Sequence, residues 1–119
     1  MRGLGDLESA VMDILWRADT PLKVREVLEQ LDTGKDLAYT TVMTVLDNLH
    51  RKQWAERERQ GKAFVYHPAQ SRAQAAAKSL RDVLNESGDP EAVLLHFATT
   101  VSPEESAVLR KGLRRTARE

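Results

Sequence analysis

The residues of this 119-residue chain whose types and spacing suit chemistry with a partner are three hydroxyls and an amide, Thr40, Thr41, Thr44 and Asn48. At helical spacing they share one face with Asp47 and Arg51. Groups of this size and polarity can reach base edges in a DNA groove without steric trouble, and they equally suit a solvated helix surface. Nothing points to catalysis. No Ser/His/Asp set or paired carboxylate stands out, and Asp47 reads as a surface or water contact rather than an acid or base. His50, His67 and His96 are far apart and lack the short spacing of metal ligands; His50, at a helix end, suits capping of the last carbonyls. There is no cysteine, which removes disulfides, thiol catalysis, thiolate metal sites and thiol redox sensing together. The chain reads as a non-enzyme with no cofactor and no metal.

The stretch that must carry the polar set runs from Asp36 to Lys52. Its apolar residues Val42, Val45, Leu46 and Leu49 recur at i, i+3, i+4 and i+7, so they form one buried stripe opposite the threonines. Met43, and Trp54 just beyond, read as packing residues. Before this stretch, Leu7, Val11, Ile14 and Leu15 predict a first helix over Leu7 to Arg17, with Asp6 as the acceptor at its start. Asp19, Thr20 and Pro21 make a turn, and Leu22 and Lys23 a very short extended piece. A second helix follows, with Val24, Val27, Leu28 and Leu31 buried; Gly34 ends it, and Thr33 to Asp36 is the loop before the third.

After Lys52 the period shortens towards two. Trp54 to Gln60, then Gly61 and Lys62, then AFVYH ending at Pro68, predict a β-hairpin with Phe64 and Tyr66 on one side. Helix, short strand, helix, helix, strand, turn, strand is the order of a winged helix-turn-helix. In that arrangement the third helix is the reader and the hairpin is the wing. The order alone leaves protein contact open as the role, because winged helices also serve as interaction modules.

Overall charge is silent, with 18 basic against 18 acidic residues. Locally, Arg51, Lys52, Arg57, Arg59 and Lys62 face only Glu56 and Glu58 across the reader's end and the hairpin. A content of 41% hydrophobic and 30% charged residues is that of a folded globular chain, sized for one modest domain or a small domain with an appendage. No apolar run approaches the length of a membrane span, and the N-terminus lacks a signal-peptide core, so a soluble cytoplasmic protein without membrane insertion is expected.

From Ser71, a good N-cap, a helix with Ala75, Leu80, Val83 and Leu84 is predicted, broken by Gly88, Asp89 and Pro90. Another runs from about Glu91 to Thr99. Ser102-Pro103-Glu104-Glu105 then opens a last helix carrying Val108, Leu109 and Leu113. Its basic end, Arg114, Arg115 and Arg118, reads first as a favourable interaction with the helix dipole, ahead of DNA contact. These helices have little of their own to pack against. A homodimer would bury Leu94, Leu95, Phe97, Leu109 and Leu113, and two readers related by a two-fold axis match a palindromic DNA site. The expected architecture is therefore mostly α (α+β), with a winged helix-turn-helix DNA-binding domain over 1–70 and a helical dimerisation region over 71–119.

The segments LGDLESAVMDILW (Leu4–Trp16), AYTTVMTVLDNLHRK (Ala38–Lys52) and FVYHP (Phe64–Pro68), with SPEE in the tail, resemble the penicillinase repressor family, the BlaI/MecI group. AYTTVMTVL looks closest to its actinobacterial branch. The resemblance implies a homodimeric repressor of antibiotic-response, β-lactamase-like genes that binds an inverted repeat with TACA/TGTA-like half-sites. It also implies base contacts from Thr40, Thr41, Thr44 and Asn48, with Arg51 and Lys52 nearer the phosphates and the wing residues Arg57, Arg59 and Lys62 beside them. A threonine methyl can pack on a thymine methyl while its hydroxyl bonds a base edge or phosphate. The family is released from DNA when a membrane sensor with metalloprotease activity leads to cleavage at an Asn-Phe bond. Here the matching dipeptide is His96-Phe97, whose first residue departs from the pattern, and the spacing of Phe97 suits a core or dimer residue. Copper-responsive relatives bind metal through cysteines, which this chain does not have. Two other readings stay open: a winged-helix regulator that senses a small ligand directly, and a winged-helix protein-interaction module.

Overall fold

Strong apolar periodicity at the start of the chain produces the first helix, α1 (Asp6–Arg17), in the computed structural model, which describes residues 1–31 and 36–117. Thr33, Gly34 and Arg118, named above as loop, helix stop and part of the basic run, lie outside the described residues. The start of α1 differs from expectation. Gly5 is the N-cap, and the Glu8 side chain one turn on accepts the Gly5 N–H at 2.9 Å, so Asp6 is the first helical residue rather than the cap. A carboxylate at this third position satisfies an amide that the helix cannot. The same device opens α2 (Val24–Gln30), where Glu26 accepts the Lys23 N–H at 2.9 Å.

Leu22 and Lys23 form β1, and the Asp36–Lys52 stretch contains α3 (Tyr39–Arg51). The hairpin is β2 (Ala55–Gln60) and β3 (Ala63–Pro68). The antiparallel sheet has the order β1-β3-β2, with Leu22 opposite Tyr66, Arg57 opposite Tyr66 and Arg59 opposite Phe64. Directly paired residues point to one side, so Arg57, Arg59, Phe64 and Tyr66 share a face, which settles the first strand's register. Gln60 pairs with Ala63, leaving Gly61 and Lys62 as a two-residue turn. Gly61 has φ +67° at the first turn position, where a type II′ hairpin needs a residue without a Cβ.

The core joins α1, α2, α3 and the sheet through Val11, Met12, Ile14, Leu15, Leu22, Val27, Val42, Leu46, Leu49, Ala55 and Tyr66. The predicted stripe of α3 is therefore the buried one, with Val45 half-buried at its edge. Trp54 packs on the core as expected, meeting Trp16 edge-on with ring centroids 6.4 Å apart. Met43 is not part of the core. It is 43% exposed, as is Tyr39, because the buried face of α3 is narrower than its apolar content.

The chain leaves α3 through a tight reversal. Gln53 adopts φ +68°, its N–H bonds the His50 carbonyl at 3.0 Å and the Trp54 N–H bonds the Leu49 carbonyl at 2.9 Å. This is a Schellman ending with glutamine where glycine is usual. It feeds Ala55 directly into β2, so the hairpin stands beside the end of α3.

The chain divides into two compact units, the first spanning Met1–Ser79 and the second beginning at Leu80. In the first, Ser71 caps α4 (Arg72–Glu86) reciprocally: Ser71 Oγ accepts the Gln74 N–H at 3.1 Å and Gln74 Oε1 accepts the Ser71 N–H at 2.9 Å. Arg72 lies over the Trp16 ring at 5.0 Å and pairs with Asp13 at 3.0 Å, while Ala75 is buried. In the second unit, Asp89 and Pro90 start a helix as well as ending one, so α5 covers Pro90–Ala98, capped by Asp89. Ser102 and Glu105 form a capping box for α6 (Pro103–Ala117). Leu94, Leu95, Phe97, Leu109 and Leu113, the expected dimer residues, are all 51–69% exposed. Among the described residues no helix is long and apolar enough to cross a membrane.

Candidate nucleic-acid interface

Burial of Val42, Leu46 and Leu49 turns the opposite side of α3 outward, and that side consists of two adjacent i, i+4 rows. One row is Thr40, Thr44 and Asn48, with Thr41 on its far flank. The other is Tyr39, Met43, Asp47 and Arg51. Thr40, Thr41 and Thr44 are exposed, and Asn48 is half-buried. Thr44 Oγ1 donates to the Thr40 carbonyl at 2.9 Å, so its proton is committed within the helix. What Thr44 can still offer is an acceptor lone pair and a methyl group. Asn48 Oδ1 accepts from Arg51 Nη2, which leaves the amide N–H groups free to donate.

Asp47 ties this surface to the hairpin. Its Oδ2 faces Arg51 Nε at 3.3 Å and its Oδ1 faces Arg57 Nη1, from β2, at 3.2 Å. Arg57 also stacks on the Phe64 ring at 4.3 Å and is only 28% exposed; Arg59 lies 5.5 Å from the same ring. The planar guanidinium suits both contacts at once, which a lysine ammonium would not. The structure thus joins Arg51 and Arg57 by ion pairs to the shared carboxylate of Asp47, with Asn48 attached through its hydrogen bond from Arg51. Lys62 stands exposed in the turn at the hairpin tip.

Lys52 is not part of that group. Its ammonium pairs with Glu8 Oε1 at 2.8 Å and reaches the Gly3 carbonyl at 3.4 Å, clamping the end of α3 to the start of α1. Glu8 is 13% exposed. Burial opposes ionisation of its carboxyl, yet the Gly5 amide and the Lys52 ammonium together outweigh that and hold it below its ordinary range.

Spacing alone places Asp47 on this surface but not its role there, and does not include Met43 or Tyr39. Asp47, read as a surface or water contact, is the bridge between helix and hairpin; Asp47 and Arg51 at i, i+4 carry a signal for half of that bridge. Met43, read as packing, is open to solvent. Tyr39, at the first position of α3, sits under the Arg25 guanidinium of α2 at 5.9 Å, a contact between elements with no local signature. Of the histidines, His67 Nε2 lies 3.1 Å from Glu56 Oε2, and among the described residues no three metal-ligating side chains converge.

Residues 4–115 match the family model described as penicillinase repressor. The chain is 43% identical over 113 residues to the transcriptional regulator BlaI of Mycobacterium tuberculosis, spanning 92% of this chain and 82% of that one. The solution structure of the DNA binding domain of the repressor BlaI superposes with a TM-score of 0.52 at 25% identity, over 60% of this chain and 85% of that domain. Streptococcus pneumoniae FabT, crystallised in complex with DNA, shares the fold at 22% identity, with a TM-score of 0.51 over 98% of this chain and 76% of that one.

Proposed function

The chain belongs to the penicillinase repressor family, whose similar members are transcriptional regulators and not enzymes, and from that premise we propose that it represses transcription as a homodimer bound to an inverted-repeat operator. Each protomer contributes α3 to a major groove and its hairpin to the flanking backbone. The observation that carries this reading is the outward row Thr40, Thr44 and Asn48 standing beside the cations Arg51, Arg57, Arg59 and Lys62. Hydrogen-bonding side chains of small size discriminate bases, and adjacent cations fix the register on phosphates. Thr41 works at the edge of the same face. Lys52 reaches phosphate only by leaving Glu8, so its first role is to hold α3 in place.

Dimerisation falls to the second unit. Leu94, Leu95, Phe97, Leu109 and Leu113 form an apolar surface that a lone protomer leaves in water, and pairing removes it. The regulated genes are those of antibiotic response, and the protein acts in the cytoplasm. Release follows inactivation by a membrane sensor with protease activity, with His96-Phe97 as the bond that corresponds to the family's cleavage site. Both residues lie exposed on α5. Their carbonyls accept from Thr99 and Thr100, so a protease must open the last turn of that helix to reach them.

The test is a gel-shift titration with DNA from upstream of the chain's own gene, using a duplex that holds a TACA/TGTA palindrome and a scrambled duplex of the same length. Tight, salt-sensitive binding to the palindrome is expected, with a large excess over the scramble. Equal affinity for both would reject sequence-specific repression.

A further inference from the structure

On the reader helix, the row beside the threonines changes character halfway along. Its C-terminal half, Asp47 and Arg51, is charged and engaged with the wing. Its N-terminal half, Tyr39 and Met43, is apolar and 43% exposed at both positions, within the first two turns. Tyr39 has a neighbour in the Arg25 guanidinium. Met43 stands outside the core cluster, although methionine is normally a gap-filler inside. An exposed thioether next to Thr40 and Asp47 is therefore an apolar knob on an otherwise polar reading surface.

A major groove presents one apolar group at base edges, the 5-methyl of thymine. It is also the groove into which the first turns of a reader helix project. Resting on the proposed DNA-binding role, we propose that Met43 is a specificity-determining residue that packs its side chain on a thymine 5-methyl in each half-site. The contact works by excluding water from two apolar groups and needs no hydrogen bond. A flexible, polarisable side chain follows the methyl without requiring close fit. Cytosine at that position, lacking the methyl, leaves Met43 facing polar edge atoms, so the preference is for thymine over cytosine. The polar row of Thr40, Thr44 and Asn48 then reads the neighbouring positions.

The experiment is a base selection from a random duplex library with the full-length protein. Binding titrations follow on the selected site with each thymine in turn replaced by deoxyuridine, which removes only the methyl. Wild-type protein should lose about fourfold in affinity at one thymine of each half-site, the worth of one buried methyl-sized group. Met43→Ala, which removes the contact from both half-sites, should bind the thymine duplex about fifteenfold more weakly than wild type and be indifferent to the uridine change there. Met43→Leu should keep the sensitivity. Because residue 43 is exposed, melting temperatures of all three proteins should agree. Wild-type binding that ignores every methyl would overturn the proposal, as would Met43→Ala retaining full sensitivity, which would assign the methyl contact to Thr40 or Thr44. Failure of the wild-type protein to enrich any sequence would instead overturn the DNA-binding reading and this one with it.

Discussion

Arg57 Nη1 lies 3.2 Å from Asp47 Oδ1, which joins the wing to the reader helix by an ion pair and leaves a carboxylate in the middle of a surface otherwise suited to an anion. The pair is half exposed, so it contributes little to stability, about 0–1 kcal/mol. Its effect on binding is larger, because Asp47 offsets one of the two positive charges of Arg51 and Arg57 in the absence of DNA and repels phosphates placed off register. Asp47→Asn should therefore tighten binding to random duplex and steepen its salt dependence, reducing the ratio of specific to non-specific affinity. Titrations against both duplexes across salt concentrations measure this; Glu58→Gln, elsewhere on the wing, controls for the change in charge alone. A weakened interaction with random duplex would show Asp47 to be a support for the helix only.

The Glu8–Lys52 pair gives stability a defined dependence on pH. Glu8 is held below its ordinary value of 4.5, so the charged form is the one the fold favours. Its contribution is complete above that value and is lost as pH falls through the lower value it has in the folded protein. Glu8→Gln keeps an acceptor for the Gly5 amide and removes the charge. At neutral pH the variant should be less stable by about 0.5–1 kcal/mol, and the gap should close on acidification below 4.5. Melting curves of both proteins from pH 7 downward check it; a gap that does not change with pH would mean the charge is not what Glu8 contributes.

Gln53 occupies the left-handed region at φ +68°, where a side chain is strained and glycine is not. Gln53→Gly should stabilise the protein by about 0.5–1 kcal/mol, since the Schellman bonds of Gln53 and Trp54 are made by backbone and survive the change. Urea unfolding gives the value directly. A loss of stability would show the glutamine side chain to be holding the wing.

What could be read from the sequence follows local period. The stripe Val42, Val45, Leu46 and Leu49 fixes a helix and its buried side, and Gly61 between alternating runs fixes a hairpin, because both signals lie within one element. Cross-element contacts have no such signal. Glu8 and Lys52 meet across 44 residues, and nothing in either neighbourhood announces the other. Met43 departs from its expected packing for a related reason: it lies next to the buried stripe, and the width of that stripe depends on how closely α1 and α2 approach, which is a property of the packed fold. At the start of α1 a strong local candidate, Asp6, lost to Glu8, since a carboxylate one turn in can reach back to the Gly5 amide.

Removal of the chain after Ser87 should leave a folded monomer, because every buried residue of the described core lies at or before Ala75. Its affinity for a full palindrome should fall on the order of a hundredfold or more, as two linked readers gain from effective concentration. Sedimentation and operator titration of the truncated chain test both parts. A truncated protein that still sediments as a dimer would remove the second unit from the assembly.

The central claim, that the outward polar row of α3 reads bases, is tested most directly with Thr44→Ala, measured by fluorescence anisotropy on operator and random duplex under one salt condition. Thr44 is exposed and, among the described residues, its hydroxyl bonds only the Thr40 carbonyl, so the fold should tolerate the change. The expected result is a loss of about 1–3 kcal/mol on the operator with binding to random duplex nearly constant. Equal loss on both duplexes, or no loss on either, would contradict it.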